Sequence, residues 1–129
     1  MGAMKAETVI ATHGNTDFDA LAAMLAERRL YPEAVVCLSG SLNRNVREFY
    51  RLHADELGFV EAARVETGAI RRLIVVETTH ASRLGELEGV ALDPGVEAVV
   101  FDHHGGDAPE WAGEEHTIRI VGIDEMDPA

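Results

Sequence analysis

The stretch TVIATHGNTDFDAL, residues 8–21, joins a short apolar run to a helical pattern through a polar turn. Residues 8–12 are rich in β-branched side chains, which predicts a strand buried on both faces. The turn GNT follows, and Asn15 or Thr16 is placed there to cap a helix. A helix is predicted over residues 17–30, because its apolar side chains recur on one face: Phe18, Leu21, Met24, Leu25 and Leu30. This part of the chain therefore predicts a strand, a polar turn and a helix.

The same kind of pattern recurs along the chain. Apolar runs predict strands at 34–38, 73–77 and 97–101, the alternating residues 116–122 predict an edge strand, and a helix is predicted over 43–57. Strands that alternate with helices are typical of an α/β fold. We therefore expect a mostly parallel sheet of four to five strands with helices on both faces.

Length and composition limit the classes of protein. The 129 residues, 47% apolar, fit one domain, 1–129, in which we interpret residues 1–4 as an added leader. The net charge of −12 argues against a broad electrostatic grip on long double-stranded nucleic acid. No apolar run approaches 18 residues, so we expect no membrane partner. The single cysteine, Cys37, lies in an apolar run, and we expect it to be a buried thiol of a cytoplasmic protein.

Polar, chargeable residues directly follow three of the predicted strands. In a parallel sheet the carboxyl ends of the strands share one edge, where ligands bind. Three strands would thus deliver carboxylates and imidazoles to one place: His13, Asn15, Asp17 and Asp19 from the first, Glu77 and Thr78 from the third, and Asp102, His103 and His104 from the fourth. This convergence predicts a functional site at that edge.

Carboxylates and imidazoles together suit Mn²⁺, Fe²⁺ or Zn²⁺. A pair of such ions, roughly 3.5 to 4 Å apart, activates water for attack on phosphorus, so phosphoester hydrolysis is the natural hypothesis. Each residue also has a plainer interpretation. Asp17 is placed to interact with a helix dipole, and His13 fits a hydrogen-bonded structural histidine. His53, His80 and His116 have no identifiable partners and are assigned no role.

Two motifs together resemble the DHH phosphoesterase superfamily. His13, Asp17 and Asp19 match its first motif, and the Asp102-His103-His104 triplet follows ninety residues later. The segments SGSLNRNVREFY and ASRLG look like the DHH domain that precedes CBS domains and a tRNA nucleotidyltransferase or poly(A) polymerase domain in long bacterial proteins. The resemblance runs from about residue 8 to residue 122.

The resemblance implies a two-manganese phosphodiesterase centre, with Mg²⁺ or another divalent ion as the alternative. His13 and Asp17 would hold one metal and Asp19 and His103 the other, with Glu77 bridging them. Asp102 would orient His103, and His104 would face the scissile phosphate of a short oligonucleotide or cyclic dinucleotide. Asn15, Thr78 and Arg83 would contact the substrate.

Two departures from the family pattern leave a second hypothesis open. Glu77 stands where the family usually has a bridging aspartate, and its extra methylene shifts the carboxylate by more than about half an ångström. The chain also ends where the family continues to a fourth aspartate and a second domain, so it resembles a truncated DHH domain. A non-catalytic module of a tRNA-processing protein is therefore the alternative. Apolar surface left uncovered by truncation predicts a homodimer.

Overall fold

The computed structural model describes residues 3–78, 80–101 and 117–121, the last by their backbone. The strands are β1 Thr8–Ala11, β2 Val35–Leu38, β3 Val60–Glu61, β4 Arg72–Val76, β5 Glu97–Phe101 and β6 Thr117–Val121. The α-helices are α1 Phe18–Leu30, α2 Arg44–Leu57 and α3 Glu88–Leu92. Short 3₁₀ turns span Ala62–Arg64, Thr67–Ala69, Ala81–Arg83 and Gly85–Leu87.

The strands form one six-stranded sheet in the order β3-β2-β1-β4-β5-β6. Every pairing between neighbouring strands is parallel. The predicted α/β fold is confirmed, with one strand more than expected. The additional strand, β3, pairs through only two residues, Val60 and Glu61, which is too short a run for periodicity to reveal.

Alternation along the strands divides the core between the two faces of the sheet. In β1, Val9 and Ala11 join one apolar cluster and Ile10 the other. The helices α1 and α2 pack on the Ile10 face, where Met24 and Val46 are fully buried. Both faces of the central strands are therefore covered, as the uniformly apolar runs predict.

The apolar stripe predicted for α1 is only partly buried. Leu21 and Met24 contact the core, whereas Phe18 is 47% exposed and Leu30 is 68% exposed. The prediction is wrong for these two residues because they lie at the first and last positions of the helix, beyond the turns that pack on the sheet. No helix in the part of the chain that the structure describes is long and apolar enough to span a membrane.

Cys37 is fully buried in β2, as the sequence predicts. Removal of the thiolate from water is costly, and this burial raises the pKa of Cys37 to about 12. The thiol is therefore a core side chain that stays protonated.

Glu27 is a buried carboxyl group on α1, only 5% exposed. Within the described residues its Oε2 atom has no hydrogen-bond partner. Desolvation disfavours the charged carboxylate and raises the pKa of Glu27 to about 7. The unfolded chain loses this proton near the ordinary value of 4.5, whereas the folded protein keeps it up to about 7. Stability must therefore fall as the pH rises between these values.

Substitution Glu27→Gln removes this pH-dependent cost. We expect the variant to gain thermal stability relative to the unmodified protein at about pH 8, with little or no gain at about pH 4. Melting temperatures measured across this range check the prediction. Glu33→Gln, at an exposed position just beyond the same helix, is the matched control. A gain that is equal at both pH values would contradict it.

Candidate functional site

The direction of strand order reverses between β1 and β4, and a polar cavity lies beyond the carboxyl ends of these two strands. Such a reversal leaves a crevice in which parallel α/β proteins bind ligands. The cavity measures about 310 Å³, and its lining is His13, Gly14, Asn15, Asp17, Asp19, Asn43, Glu77 and Arg83. The structure therefore brings together six residues that the sequence predicts for the site: His13, Asn15, Asp17, Asp19, Glu77 and Arg83.

The end of β1 is joined directly to the end of β4. The buried Thr12 hydroxyl donates a hydrogen bond to the carbonyl oxygen of Val76 at 2.8 Å. The neighbouring His13 is 9% exposed, and its Nδ1 lies 2.7 Å from the carbonyl oxygen of Gly14. Because a carbonyl oxygen only accepts, this bond places the proton of a neutral imidazole on Nδ1. Nε2 of His13 then carries the lone pair that a metal ligand needs.

Two cavity residues have left-handed backbone conformations, Asn15 with φ of 57° and Glu77 with φ of 65°. Asparagine adopts this conformation readily, whereas glutamate does so rarely, at a cost of order 1–3 kcal/mol. Strain of this kind persists where the surrounding structure holds it, and it concentrates at functional sites. The backbone of Glu77 is held by a hydrogen bond from its N–H to the carbonyl oxygen of Phe101, 2.9 Å away.

Asp17 is the N-cap of α1, and its Oδ1 accepts a hydrogen bond from the backbone N–H of Ala20 at 2.9 Å. The expectation that Asn15 or Thr16 caps this helix is therefore wrong. Asn15 has turned into the left-handed region, and the Thr16 hydroxyl donates instead to the carbonyl oxygen of His13, 3.3 Å away. The plainer interpretation of Asp17 as a helix-terminal residue is confirmed, although the side chain also lines the cavity.

Arg83 supplies a positive charge to a cavity with three carboxylates. Its backbone carbonyl accepts a hydrogen bond from the N–H of Gly14 at 3.2 Å. The buried Ser39 hydroxyl donates to the carbonyl oxygen of the next residue, Leu84, at 2.5 Å. The loops after β1 and β2 thus hold the segment that carries Arg83.

Thr78 and Asn43 differ from the sequence-based assignment. Thr78 is 3% exposed, its hydroxyl accepts from the N–H of His80 at 3.2 Å, and it does not line the cavity. Asn43 does line it and caps α2, its Oδ1 accepting from the N–H of Asn45. From the sequence, Asn43 is predicted only as the first residue of a helix. An asparagine at that position is a capping signal, and the cap could have been inferred from it.

The donors around the cavity fit a divalent ion by their chemistry, because neutral imidazole and carboxylate are the ligands that Mn²⁺ accepts. However, among the described residues no three His, Cys, Asp or Glu side chains are grouped closely enough to hold a metal. The other predicted ligands and catalytic residues, Asp102, His103 and His104, lie outside the described residues, as does His116. The metal centre therefore stays a prediction.

These features define the chain as a parallel α/β protein with an acidic, histidine-containing cavity where its strand order reverses. No family model matches the sequence. Over 115 residues, 88% of this chain, it is 42% identical to an A-adding tRNA nucleotidyltransferase of Geobacter sulfurreducens. The chain spans only 13% of the length of that protein. The predicted relation to tRNA nucleotidyltransferases is confirmed to this extent, and membership of the DHH superfamily stays a prediction.

Gly85 gives a direct test of the loop packing behind Arg83. It has φ of +57°, and a Cβ atom at this position would collide with the Ser39 hydroxyl oxygen. We expect Gly85→Ala to lower the free energy of unfolding by about 1–3 kcal/mol, since it adds backbone strain and disturbs the Ser39 hydrogen bond. Denaturant unfolding measures the loss. Gly89→Ala, where a Cβ would meet nothing within 4 Å, is the matched control, and an equal loss in both would refute the explanation.

Proposed function

We propose that the chain is a DHH-type, metal-dependent phosphodiesterase domain that acts on a short oligonucleotide or a cyclic dinucleotide. The observation that carries the proposal is the single cavity that collects His13, Asp17, Asp19, Glu77 and Arg83 at the reversal of strand order. Phosphoryl chemistry needs anionic ligands for divalent ions beside a cation for the phosphate, and both kinds of side chain line this cavity.

The residues of the cavity divide into two chemical groups. His13, Asp17, Asp19 and Glu77 would hold the ions, of which two Mn²⁺ are expected from the resemblance. Divalent ions in such a site supply charge neutralisation and an activated water. Arg83 is suited to pair with a phosphate oxygen, and the Asn15 amide to donate a hydrogen bond to the substrate. In the proposal His103 completes the ligands, Asp102 orients it, and His104 faces the phosphate.

Similarity to an A-adding tRNA nucleotidyltransferase supports a place for this domain within a tRNA-processing protein. The cytoplasmic location and the homodimer expected from the sequence remain predictions. Exposed apolar side chains such as Phe18 and Leu52 are compatible with a dimer, and a mass measurement in solution decides it.

A second candidate function is a non-catalytic module of the same kind of protein. It is favoured by Glu77, which stands where the resemblance leads us to expect an aspartate and which has a left-handed backbone conformation. In this case the cavity would bind a nucleotide or an ion weakly without turnover. The two candidates differ in their affinity for metal.

Asp19→Asn tests the metal centre. Asp19 lines the cavity but does not serve as the N-cap, so its amide variant should fold normally and lose Mn²⁺ affinity by about tenfold or more. Titration calorimetry with Mn²⁺ and hydrolysis of bis(p-nitrophenyl) phosphate are the two measurements. Asp55→Asn, at an exposed position on α2, is the control. Absence of both Mn²⁺ binding and hydrolysis in the unmodified protein would refute the phosphodiesterase proposal.

Glu77→Asp separates the two candidate functions. Aspartate tolerates the left-handed backbone of position 77 better than glutamate, so the variant should be at least as stable thermally. If the longer side chain alone limits the site, we expect tighter Mn²⁺ binding by calorimetry and faster hydrolysis. An unchanged metal affinity in a stable variant would favour the non-catalytic module.

A further inference from the structure

A second cavity lies beyond the carboxyl ends of β2 and β3, near the outer edge of the sheet. It measures about 420 Å³, which is within the size range of small-molecule sites. Leu38 at the end of β2 pairs with Glu61 at the end of β3, and both residues line the cavity. Other lining residues are Gly40, Leu42, Tyr50, Phe59, Ala63 and Glu86. No described residue lines both this cavity and the one between β1 and β4.

Two packed loops separate the cavities. Gly40 lines the second cavity, and a Cβ atom added to it would lie 3.4 Å from the Cα of Gly14, which lines the first. On the neighbouring segment, Arg83 lines the first cavity and Glu86 the second. The buried Ser39 hydroxyl holds this segment by its hydrogen bond to a backbone carbonyl. The two cavities are therefore separate sites that share a wall.

Part of the lining of the second cavity is apolar and aromatic. Leu38 and Leu42 contribute aliphatic side chains. The rings of Tyr50 and Phe59 lie with their centroids 5.7 Å apart and their planes at 32°. Phe59 is buried in the core, whereas Tyr50 is half-buried. A lining of this kind is suited to the apolar part of a ligand.

The charged side chains of the lining are acidic. Glu61 and Glu86 are both exposed, and they come from elements that meet, since the turn Ala62–Arg64 after β3 contacts the turn Gly85–Leu87. Neither carboxylate forms an ion pair or a side-chain hydrogen bond with another described residue. Among the described lining residues there is no Lys, Arg or His. Two carboxylates without a cation favour a positively charged ligand and disfavour a phosphate.

The aromatic pair already interacts with one cation of the chain itself. The guanidinium of Arg28 lies over the Phe59 ring, with Cζ 5.7 Å from the ring centroid, and it donates to the carbonyl oxygen of Leu57. Arg28 does not line the cavity. Aromatic rings attract cations through the negative charge of their faces. Tyr50 is therefore the aromatic side chain that is left for a cation inside the cavity.

We infer that the second cavity binds an organic cation, in the form of a guanidinium or ammonium group on a short apolar stem. The charged group would pair with Glu61 and Glu86, while the stem would pack on Leu42 and the ring of Tyr50. A guanidinium has five N–H donors, enough to serve both carboxylates. The inference does not rest on the proposed phosphodiesterase, because it uses no residue of the first cavity.

An organic cation fits this lining better than two other classes of ligand. A metal ion such as Mg²⁺ or Ca²⁺ takes about six or more oxygen ligands, and it would leave the apolar side chains unused. A neutral apolar ligand would take water away from Glu61 and Glu86 without replacing their hydrogen bonds, which is costly. Two sources share the favoured chemistry: a free small amine or guanidine, and the arginine or lysine side chain of a peptide.

Binding is tested by two-dimensional proton–nitrogen NMR titration of the chain with n-butylguanidinium, since amide shifts give both the affinity and the location. We expect shifts at the amides of Gly40, Ala62 and Ala63, with a dissociation constant on the order of 1 mM for so small a ligand. The neutral isostere n-butylurea has nearly the same shape and should bind at least about tenfold more weakly. The capped tripeptide acetyl-Ala-Arg-Ala-amide distinguishes the two sources. Binding of the tripeptide at least as tight as that of n-butylguanidinium would identify a peptide side chain, and weaker binding a free small cation.

Removal of the two carboxylates tests their role. We expect the double variant Glu61→Gln, Glu86→Gln to bind n-butylguanidinium about tenfold more weakly, from about threefold for each ion pair lost at an exposed position. Its affinity for n-butylurea should stay the same. The matched control removes the same charge from exposed positions that do not line the cavity: Glu33→Gln, Glu48→Gln.

A second variant fills the cavity and keeps both carboxylates. Ala63 lines the cavity and is exposed, so Ala63→Leu should fold normally and place its side chain where the stem of the ligand would lie. We expect it to weaken binding of n-butylguanidinium by about tenfold. Ala26→Leu, at an exposed position on α1, is the control for the added side chain.

Several outcomes would overturn the inference. They are the absence of amide shifts at the second cavity, equal affinity for n-butylguanidinium and n-butylurea, or equal losses in the double variant and its charge-matched control. Unchanged binding by Ala63→Leu would show that the ligand lies elsewhere on the chain. Hydrolysis of bis(p-nitrophenyl) phosphate tests the first cavity separately, so failure of one proposal is distinguishable from failure of the other.

Discussion

The reversal of strand order between β1 and β4 is the constraint on which the rest of the structure depends. From β1 the chain builds outward through β2 to β3, then returns to the other side of β1 and continues through β5 to β6. The connections that leave β1 and β4 therefore diverge, and the space between their ends stays open. The hydrogen bond from the Thr12 hydroxyl to the carbonyl oxygen of Val76 ties the end of β1 to the end of β4. Residues that are more than sixty positions apart in the sequence consequently share one cavity.

The lining of this cavity carries more negative than positive side chains. Three carboxylates line it, with Arg83 as the cationic side chain among them. Asp17 is held in place because its Oδ1 caps α1, and the positive end of the helix dipole favours its charge. The hydrogen bond from the N–H of Ala20 that makes Asp17 the helix cap also fixes the position of the Asp17 carboxylate. Capping and ligand binding are therefore compatible uses of one side chain, since a carboxylate has two oxygens and several acceptor positions.

The sequence predicts the central strands and both long helices to within one or two residues, because their apolar runs have the period of buried strands and amphipathic helices. It also predicts six of the cavity residues, since the carboxyl ends of parallel strands share one edge. Other features depend on tertiary contacts that periodicity does not encode. β3 is two residues long, and the left-handed conformation of Glu77 goes against the preference of its own side chain.

The buried thiol of Cys37 can report, in solution, how often the β2–β3 edge of the sheet opens. This residue pairs with Val60 of β3, which at two residues is the shortest strand of the sheet. A thiol that is fully buried and stays protonated reacts with an alkylating reagent only when the surrounding structure opens. Since the chain has a single cysteine, its rate of modification reports opening events around β2 and β3 without interference from another site. The protein thus contains a native kinetic probe for the part of its fold that is held by the fewest strand contacts.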